Sequence, residues 1–423
     1  MKTKILAIAL LVVLVFEVNC LFAASEFEQP PVLKAKDLAP NLKLSADRYR
    51  VEDRVPTDGL LATFTIESDF GEMKATGPGM LEIRLQEIKA LEELEKIKAS
   101  DAFVEGVKNT ASDVGKAAAN LVDNPVGTVK GIPSGVGRFF ERTGRQLKTG
   151  WQKVGDLIEK SESETSDISS GEVAAQAGKA VGRAAIDVLG YEEQRRNLAK
   201  ELHVDPYTTN PILKKQLDDI AWASFAGGLG LNTLVGQIKG GHLVKTATIA
   251  TEWVWDKSPG DIKVWIEKTL LGIGVDQDTI DRFLRHPYYT LTMQTELVMA
   301  LDQLTGVSNR PDVMDLALTA ESEQQARFIM SSVGMLSRYH KRYEPLSKLK
   351  VQGTTIAFDK KGELIVPGPV DYVSWIERVA NFASREDLAS KKRSLWLMGL
   401  ASEKTLENFE KLGWEVHQKS LLP

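Results

Sequence analysis

The sequence predicts an α+β fold, predominantly helical. It has an N-terminal β-hairpin plus a long helix, a central helical bundle and a small C-terminal α/β element. Three observations carry this expectation. Apolar residues recur at spacings of three and four from Met80 to Lys98, and again in successive stretches between residues 212 and 342. Strict alternation marks Leu60 to Ile66. From residue 344 onward the chain turns to short β-prone runs bounded by Gly and Asp. The 423 residues are 43% hydrophobic and 26% charged, which excludes whole-chain disorder and allows two or three domains.

The chain begins as an address. Met1 to Lys4 is positive, and Ile5 to Phe16 is an apolar run of 12 residues, too short to span a bilayer. Ala23, Ala24 and Ser25 offer small residues for cleavage, so residues 1–24 are expected to be a signal peptide. Leu21 or Phe22 falls where a small residue is preferred, which leaves a retained anchor as the competing reading. Cys20 follows Glu17-Val18-Asn19, a poor match to a lipidation site. Cleavage after Ala24 removes the single cysteine, leaving no thiol for a disulfide or a metal. It also removes Lys2, Lys4 and Glu17, so the net charge of −5 becomes −6. A bacterial protein exported to the periplasm or cell envelope fits these features better than a disulfide-stapled secreted one.

Residues 25–45 carry prolines and no clear period, and are expected to be a tether. Residues 46–100 form the next unit. In it, Leu60, Ala62, Phe64 and Ile66 alternate against Leu61, Thr63 and Thr65, and Ser68-Asp69-Phe70-Gly71 supplies a turn. Leu81, Leu85, Ile88, Leu91 and Leu94 then mark the amphipathic helix. Residues 101–160 are rich in Ala and Gly and are expected to be a basic helical arm. Residues 161–172, SESETSDISSGE, read as an acidic low-complexity linker.

Residues 173–343 are expected to be a helical domain. One Ala-rich helix covers Val173 to Leu202, and others run over 212–238, 242–256, 260–273, 276–284, 288–305 and 311–342. Residues 344–423 are expected to be an α/β element. LKVQGTTIAF and ELIVP flank the turn Asp359-Lys360-Lys361-Gly362, Ser394 to Gly399 is a strand, Ser402 caps a helix that Gly413 stops, and Trp414 to His417 is a last strand.

Catalytic and cofactor motifs are weak throughout. Gly131-Ile132-Pro133-Ser134-Gly135 has the wrong spacing for a nucleophile elbow. Ser347-Lys348-Leu349-Lys350 and Lys148-Thr149-Gly150 match short motifs of penicillin-recognising enzymes, but in reversed order. Gly178-Lys179 lacks P-loop spacing, and Gly228-Leu229-Gly230 lacks the third glycine of a dinucleotide loop. Asp276, Asp278 and Asp281 resemble the opening of a calcium loop without its turn glycine, and read more simply as an acidic helix start. His203, His242, His286, His340 and His417 are scattered, and His286 is the first catalytic suspect. No catalytic residue, cofactor or metal site is assigned.

Two segments bear on membranes. Ala221 to Ile238 has 18 uncharged residues, yet Asn232, Gln237 and four glycines favour a buried helix pair. The other segment is VGRFFERTGRQLKTGWQKVG, from Val136 to Gly155. On a helix, Val136, Phe139, Phe140, Leu147, Trp151 and Val154 cluster on one side. Arg138, Glu141, Arg142, Arg145, Lys148 and Lys153 lie opposite. Val129 to Gly155 carries a net +5 inside an acidic chain, the pattern of an interfacial helix. The competing reading packs Phe139, Phe140 and Trp151 on the protein's own helices.

The leading expectation is an exported cell-envelope protein with a non-enzymatic binding or structural role. It would contact an anionic membrane surface or an acidic protein groove through Arg138, Phe139, Phe140, Arg142, Arg145, Lys148, Trp151 and Lys153. No nucleic-acid partner is expected of an exported acidic chain. The first alternative is a periplasmic envelope hydrolase whose site is assembled only in three dimensions. The second is a membrane-inserting or pore-forming protein.

Overall fold

A computed structural model describes residues 26–101, 103, 104, 190–226, 236 and 248–422. The fold is α+β and predominantly helical, with strands at both ends of the chain and helices between them.

The N-terminal sheet has four antiparallel strands in the order β2-β3-β5-β6, where β2 is Ser45–Ala46, β3 Tyr49–Val51, β5 Thr63–Ser68 and β6 Met73–Thr76. The Ser68 hydroxyl donates to the Gly71 carbonyl at 2.7 Å and closes the turn between β5 and β6. Alternation works as expected here: Phe64 and Ile66 are fully buried, and Thr63 and Thr65 are partly exposed. Part of the segment read as a tether is packed structure. β1 (Val32–Lys34) pairs with β4 (Arg54–Pro56), and α1 (Ala35–Leu38) follows with Ala35 fully buried. Elements of three and four residues are too short to display a period.

The helix α2 (Pro78–Lys98) starts with proline at its first turn, where a missing N–H costs nothing. Leu81, Leu85, Ile88, Leu91, Leu94 and Ile97 line its buried face. They share one core with Phe64 and Ile66, and with Leu198, Leu202, Leu213, Leu217 and Ile220. The last five belong to the helix at 190–201 (α3), the turn after it, and α4 (Pro211–Ala226). The acidic run at 161–172 therefore does not mark where the cores divide: α3 and α4 pack with the N-terminal sheet. Of the helix expected over Val173 to Leu202, only the part from residue 190 lies within the described residues; residues 161–172 lie outside them.

The central bundle contains α5 (Ile249–Asp256), α6 (Pro259–Gly272), α7 (Gln277–Leu284), α8 (Leu291–Gln303), α9 (Asp312–Leu318) and α10 (Glu323–Arg342). Thr248, Ser258, Asp276, Thr290 and Ser322 cap five of them, each side chain accepting the N–H three residues on. The stretch 311–342, expected as one helix, is two. Thr319 to Glu321 break it, and Ser322 restarts it with Gln325 reaching back to the Glu321 N–H at 2.7 Å. The Ser-x-x-Gln spacing was the available signal.

The C-terminal sheet has five strands in the order β13-β11-β9-β8-β7. β7 (Leu346–Val351), β8 (Thr355–Asp359) and β9 (Leu364–Gly368) are successive antiparallel neighbours, while β11 (Arg393–Leu397) and β13 (Glu415–His417) run parallel to β9. LKVQGTTIAF is itself a hairpin, turned at Gly353 with φ +74°. Ala357, Ile365 and Trp396 face the helical bundle. Ile356, Leu364, Val366, Leu395 and Leu397 face α11 (Glu377–Ala383) and α12 (Glu403–Lys411), against Val379, Ala383 and Phe409. Ser402 caps α12 and Gly413, at φ +78°, ends it.

The two ends of the chain meet in a seam. β10 (Tyr372–Val373) lies parallel to β12 (Leu400–Ala401). Leu60 carbonyl oxygen accepts from the N–H groups of Asp371 and Tyr372, and Gly59 from that of Ser374. Asp371 Oδ2 accepts the Ala62 N–H at 2.8 Å. The Glu28 carboxylate accepts both the Trp375 N–H and the Ser402 hydroxyl.

Candidate functional site

Arg138, Phe139, Phe140, Arg142, Arg145, Lys148, Trp151 and Lys153 all lie outside the described residues. So do Ser134, Gly178, Gly228 and Gly230. Ala221 to Phe225 belong to α4, with Ala221, Ala223 and Ser224 buried. Among the described residues, no helix is long and apolar enough to cross a membrane.

The remaining sequence candidates have local structural roles. Asp276 caps α7, its carboxylate accepting the Thr279 N–H at 3.0 Å and held below the usual range by that bond. His286 sits after α7, edge-on to Tyr289 at 5.2 Å. Ser347 lies on β7 and donates to the carbonyls of Phe358 and Asp359 at 3.0 Å. None of these is brought to a common centre.

A different set of residues converges. A cavity of about 80 Å³ lies where α2, the loop after α3, α5, α8 and α10 meet. The loop is pinned from three sides. Trp255 Nε1 donates to the Val204 carbonyl at 2.8 Å, the Thr292 hydroxyl donates to Asp205 Oδ1 at 2.7 Å, and Asn210 Nδ2 donates to Glu87 Oε2 at 2.9 Å. Asn210 also caps α4, its Oδ1 accepting the Ile212 N–H at 3.0 Å. His203 adopts φ +54°, the left-handed turn that redirects the chain out of α3.

The charges of the cavity divide into paired and unpaired groups. Arg84 Nη1 meets Glu87 Oε2 at 2.6 Å, and Thr208 hydroxyl also donates to Glu87. Arg327 Nε meets Glu323 Oε1 at 2.7 Å. Thr209 joins the two pairs, accepting from Arg84 at 3.0 Å and donating to Glu323 at 3.0 Å. Among the described residues, Asp205 and Glu296 have no such ion pair. Burial raises the pKa of Asp205 against the Thr292 and Tyr207 hydrogen bonds. Burial also raises that of Glu296, opposed by the more distant charges of Arg327 and Arg338. Two polar atoms are also left over: among the described residues, Gln86 Oε1 and His203 Nδ1 are buried without a hydrogen-bond partner.

Chemically, the cavity offers hydrogen-bond acceptors and two carboxyls with raised proton affinity. Among the described residues, no three His, Cys, Asp or Glu side chains form a metal-holding group. The threonine hydroxyls are engaged: Thr208 with Glu87, Thr209 with Glu323, Thr292 with Asp205, and Thr248 with Thr251 at 3.1 Å. Sequence reasoning missed this site because its members come from five separated segments. Glu87 carried the one local hint. It stands four and seven residues before Leu91 and Leu94, so a charge sits on the apolar stripe.

Comparison with protein-family models, with curated proteins and with solved structures finds no match to this chain.

Proposed function

We propose that this protein is an exported cell-envelope protein with a non-enzymatic binding or structural role, engaging a membrane surface or protein partner through the basic segment at residues 129–158. One observation about the body supports the reading. α2 and α4 run parallel, with Arg84 beside Thr209 at one end and Lys98 paired to Asp219 at 3.1 Å toward the other. α3 runs back between these ends: Tyr191 hydroxyl donates to Asp218 at 2.6 Å, and Gln86 Nε2 donates to the Leu202 carbonyl at 3.3 Å. Residues 104 and 190 therefore both border the intervening segment at one end of this helical layer, away from the cavity. Phe103, 2% exposed, and Leu198 fix the two sides in the same core.

The arm's net +5 suits anionic headgroups, and its Phe and Trp side chains suit the acyl boundary. Co-sedimentation of the mature protein with anionic and neutral liposomes, at low and high salt, tests the reading. The expected result is salt-sensitive binding to anionic vesicles that Phe139→Ser/Phe140→Ser/Trp151→Ser abolishes in a folded protein. Absence of binding by the wild type, or equal binding by the triple variant, overturns the membrane reading. Loss of folding in the variant would place those aromatics in a core.

A second reading, an envelope hydrolase, is favoured by one observation: Asp205 and Glu296, both with raised proton affinity, line one cavity. It stands second because about 80 Å³ is small beside the ~300–1,000 Å³ of typical ligand pockets.

A further inference from the structure

We propose that His340 is an acid-released latch: protonation of its imidazole breaks the bond that ties the start of β7 to the end of α10, and so loosens the corner between the helical bundle and the C-terminal sheet. The latch is independent of the basic segment and of the cavity. It rests on a bond whose direction chemistry fixes. The Leu346 N–H donates to His340 Nδ1 at 2.9 Å. A backbone N–H can only donate, so Nδ1 presents its lone pair. The ring is therefore neutral, with its proton on Nε2. An imidazolium carries an N–H at both positions, and its Nδ1–H would face the Leu346 N–H. Titration thus turns an attraction into two opposed donors.

The bond sits at a hinge. α10 ends at Arg342, and Tyr343, Glu344 and Pro345 carry the chain into β7. Leu346 is 1% exposed, in the same core as Leu336 and Tyr339 of α10. The β7–β8 ladder is irregular between Leu346 and Lys348, and here the helix supplies an acceptor to the strand. His340 is half-buried, so solvent protons reach its ring. From the elements packed against it, the charge that bears on the ring is Lys360 in the turn between β8 and β9, whose own N–H bonds the Pro345 carbonyl at 3.0 Å. Lys341 and Arg342 follow His340 on α10. Glu344, the acid of the corner, is paired to Lys361 at 2.5 Å. Burial, and then Lys360, hold the imidazole below its ordinary 6.5. The folded state therefore binds this proton less tightly than the unfolded chain. The latch is complete above pH 6.5 and is lost as pH falls through the folded value.

Hydrogen exchange of the full mature chain, read by NMR at the Leu346 amide and corrected for the intrinsic rate at each pH, tests the latch. The Leu297 amide, inside α8, is the reference for global opening. From about pH 7 to about pH 5, protection of Leu346 should fall at least ~10-fold relative to Leu297. In His340→Asn the side-chain Oδ1 offers an acceptor in place of Nδ1 and does not titrate. Protection of Leu346 in that variant should then be independent of pH over the same range. Three results overturn the proposal: a neutral His340 ring whose nitrogen shifts place the proton on Nδ1, Leu346 protection that falls no further than that of Leu297, or an equal acid loss in a folded His340→Asn protein. The first two use the wild type alone, so the test stands even where the variant does not fold.

Discussion

Asp371→Asn should stabilise this protein at neutral pH and leave it nearly unchanged in mild acid. Asp371 sits in the seam between the two ends of the chain. Its Oδ2 accepts the Ala62 N–H at 2.8 Å, and its own N–H donates to Leu60. Burial pushes its pKa from an ordinary 3.8 up to about 6; the Ala62 hydrogen bond works against this and the nearby Asp58 charge adds to it. Arg378 is paired to Asp58 at 3.0 Å. The folded state thus binds this proton more tightly than the unfolded chain. The stability it contributes is complete below pH 3.8 and is lost as pH rises through about 6. Each pKa unit is worth about 1.4 kcal/mol, so the full loss is about 3 kcal/mol. Asparagine keeps the shape and the acceptor for Ala62 but carries no charge. The Ala62 hydrogen bond to the charged form is already part of the pKa of about 6, so the variant should exceed the wild type by about 3 kcal/mol at neutral pH. Urea unfolding followed by tryptophan fluorescence, at about pH 4 and about pH 7, measures the difference. An advantage that does not change with pH, or a wild type that is the more stable at neutral pH, would refute the argument.

Two further outcomes follow from the same geometry. Gly399→Ala should cost about 3 kcal/mol or more in thermal or urea unfolding, because its Cβ would lie 1.9 Å from the Asp371 carbonyl oxygen, which holds the Leu400 N–H. Glu87→Gln should cost about 3 kcal/mol by urea unfolding, since it strips Arg84 of its counter-charge and sets an amide donor against Asn210 Nδ2; a loss below about 1 kcal/mol would show that Glu87 does not hold the loop at 203–210.

The fold was legible wherever one short stretch carried its own physics. The stripe from Leu81 to Leu94 needed only a helix period, and every member is buried. Ser402 and Gly413 announced both ends of α12 by capping chemistry. Phe64 and Ile66 announced the buried face of β5 by alternation. Legibility failed where pairing is distant or elements are brief. β1 finds β4 some twenty residues later, and Val32 to Lys34 is too short to alternate. The partition of cores was hidden for a related reason. Leu198 and Leu213 look like any helix core residues, and only packing reveals that they belong to the core that holds Phe64 rather than the one that holds Leu297. The cavity was least legible. Asp205, Glu296 and Arg327 have no fixed spacing, and what distinguishes them is the presence or absence of a partner in space.

The seam also governs the order in which this molecule can be completed. Glu28 lies near the start of the described residues, and its carboxylate is held by Ser402, 374 positions later. A ribosome adding about 5–20 residues per second needs about 20–75 s to deliver that partner. Until Asp371 and Tyr372 follow, Leu60 and Ala62 have no seam to close on, and the N-terminal sheet waits with its rim exposed. Contacts of such sequence separation carry a large loop-closure cost and form late. Assembly is consequently timed by the last strand-helix-strand segment, and a chain truncated before residue 402 would leave its beginning, as well as its end, unfinished.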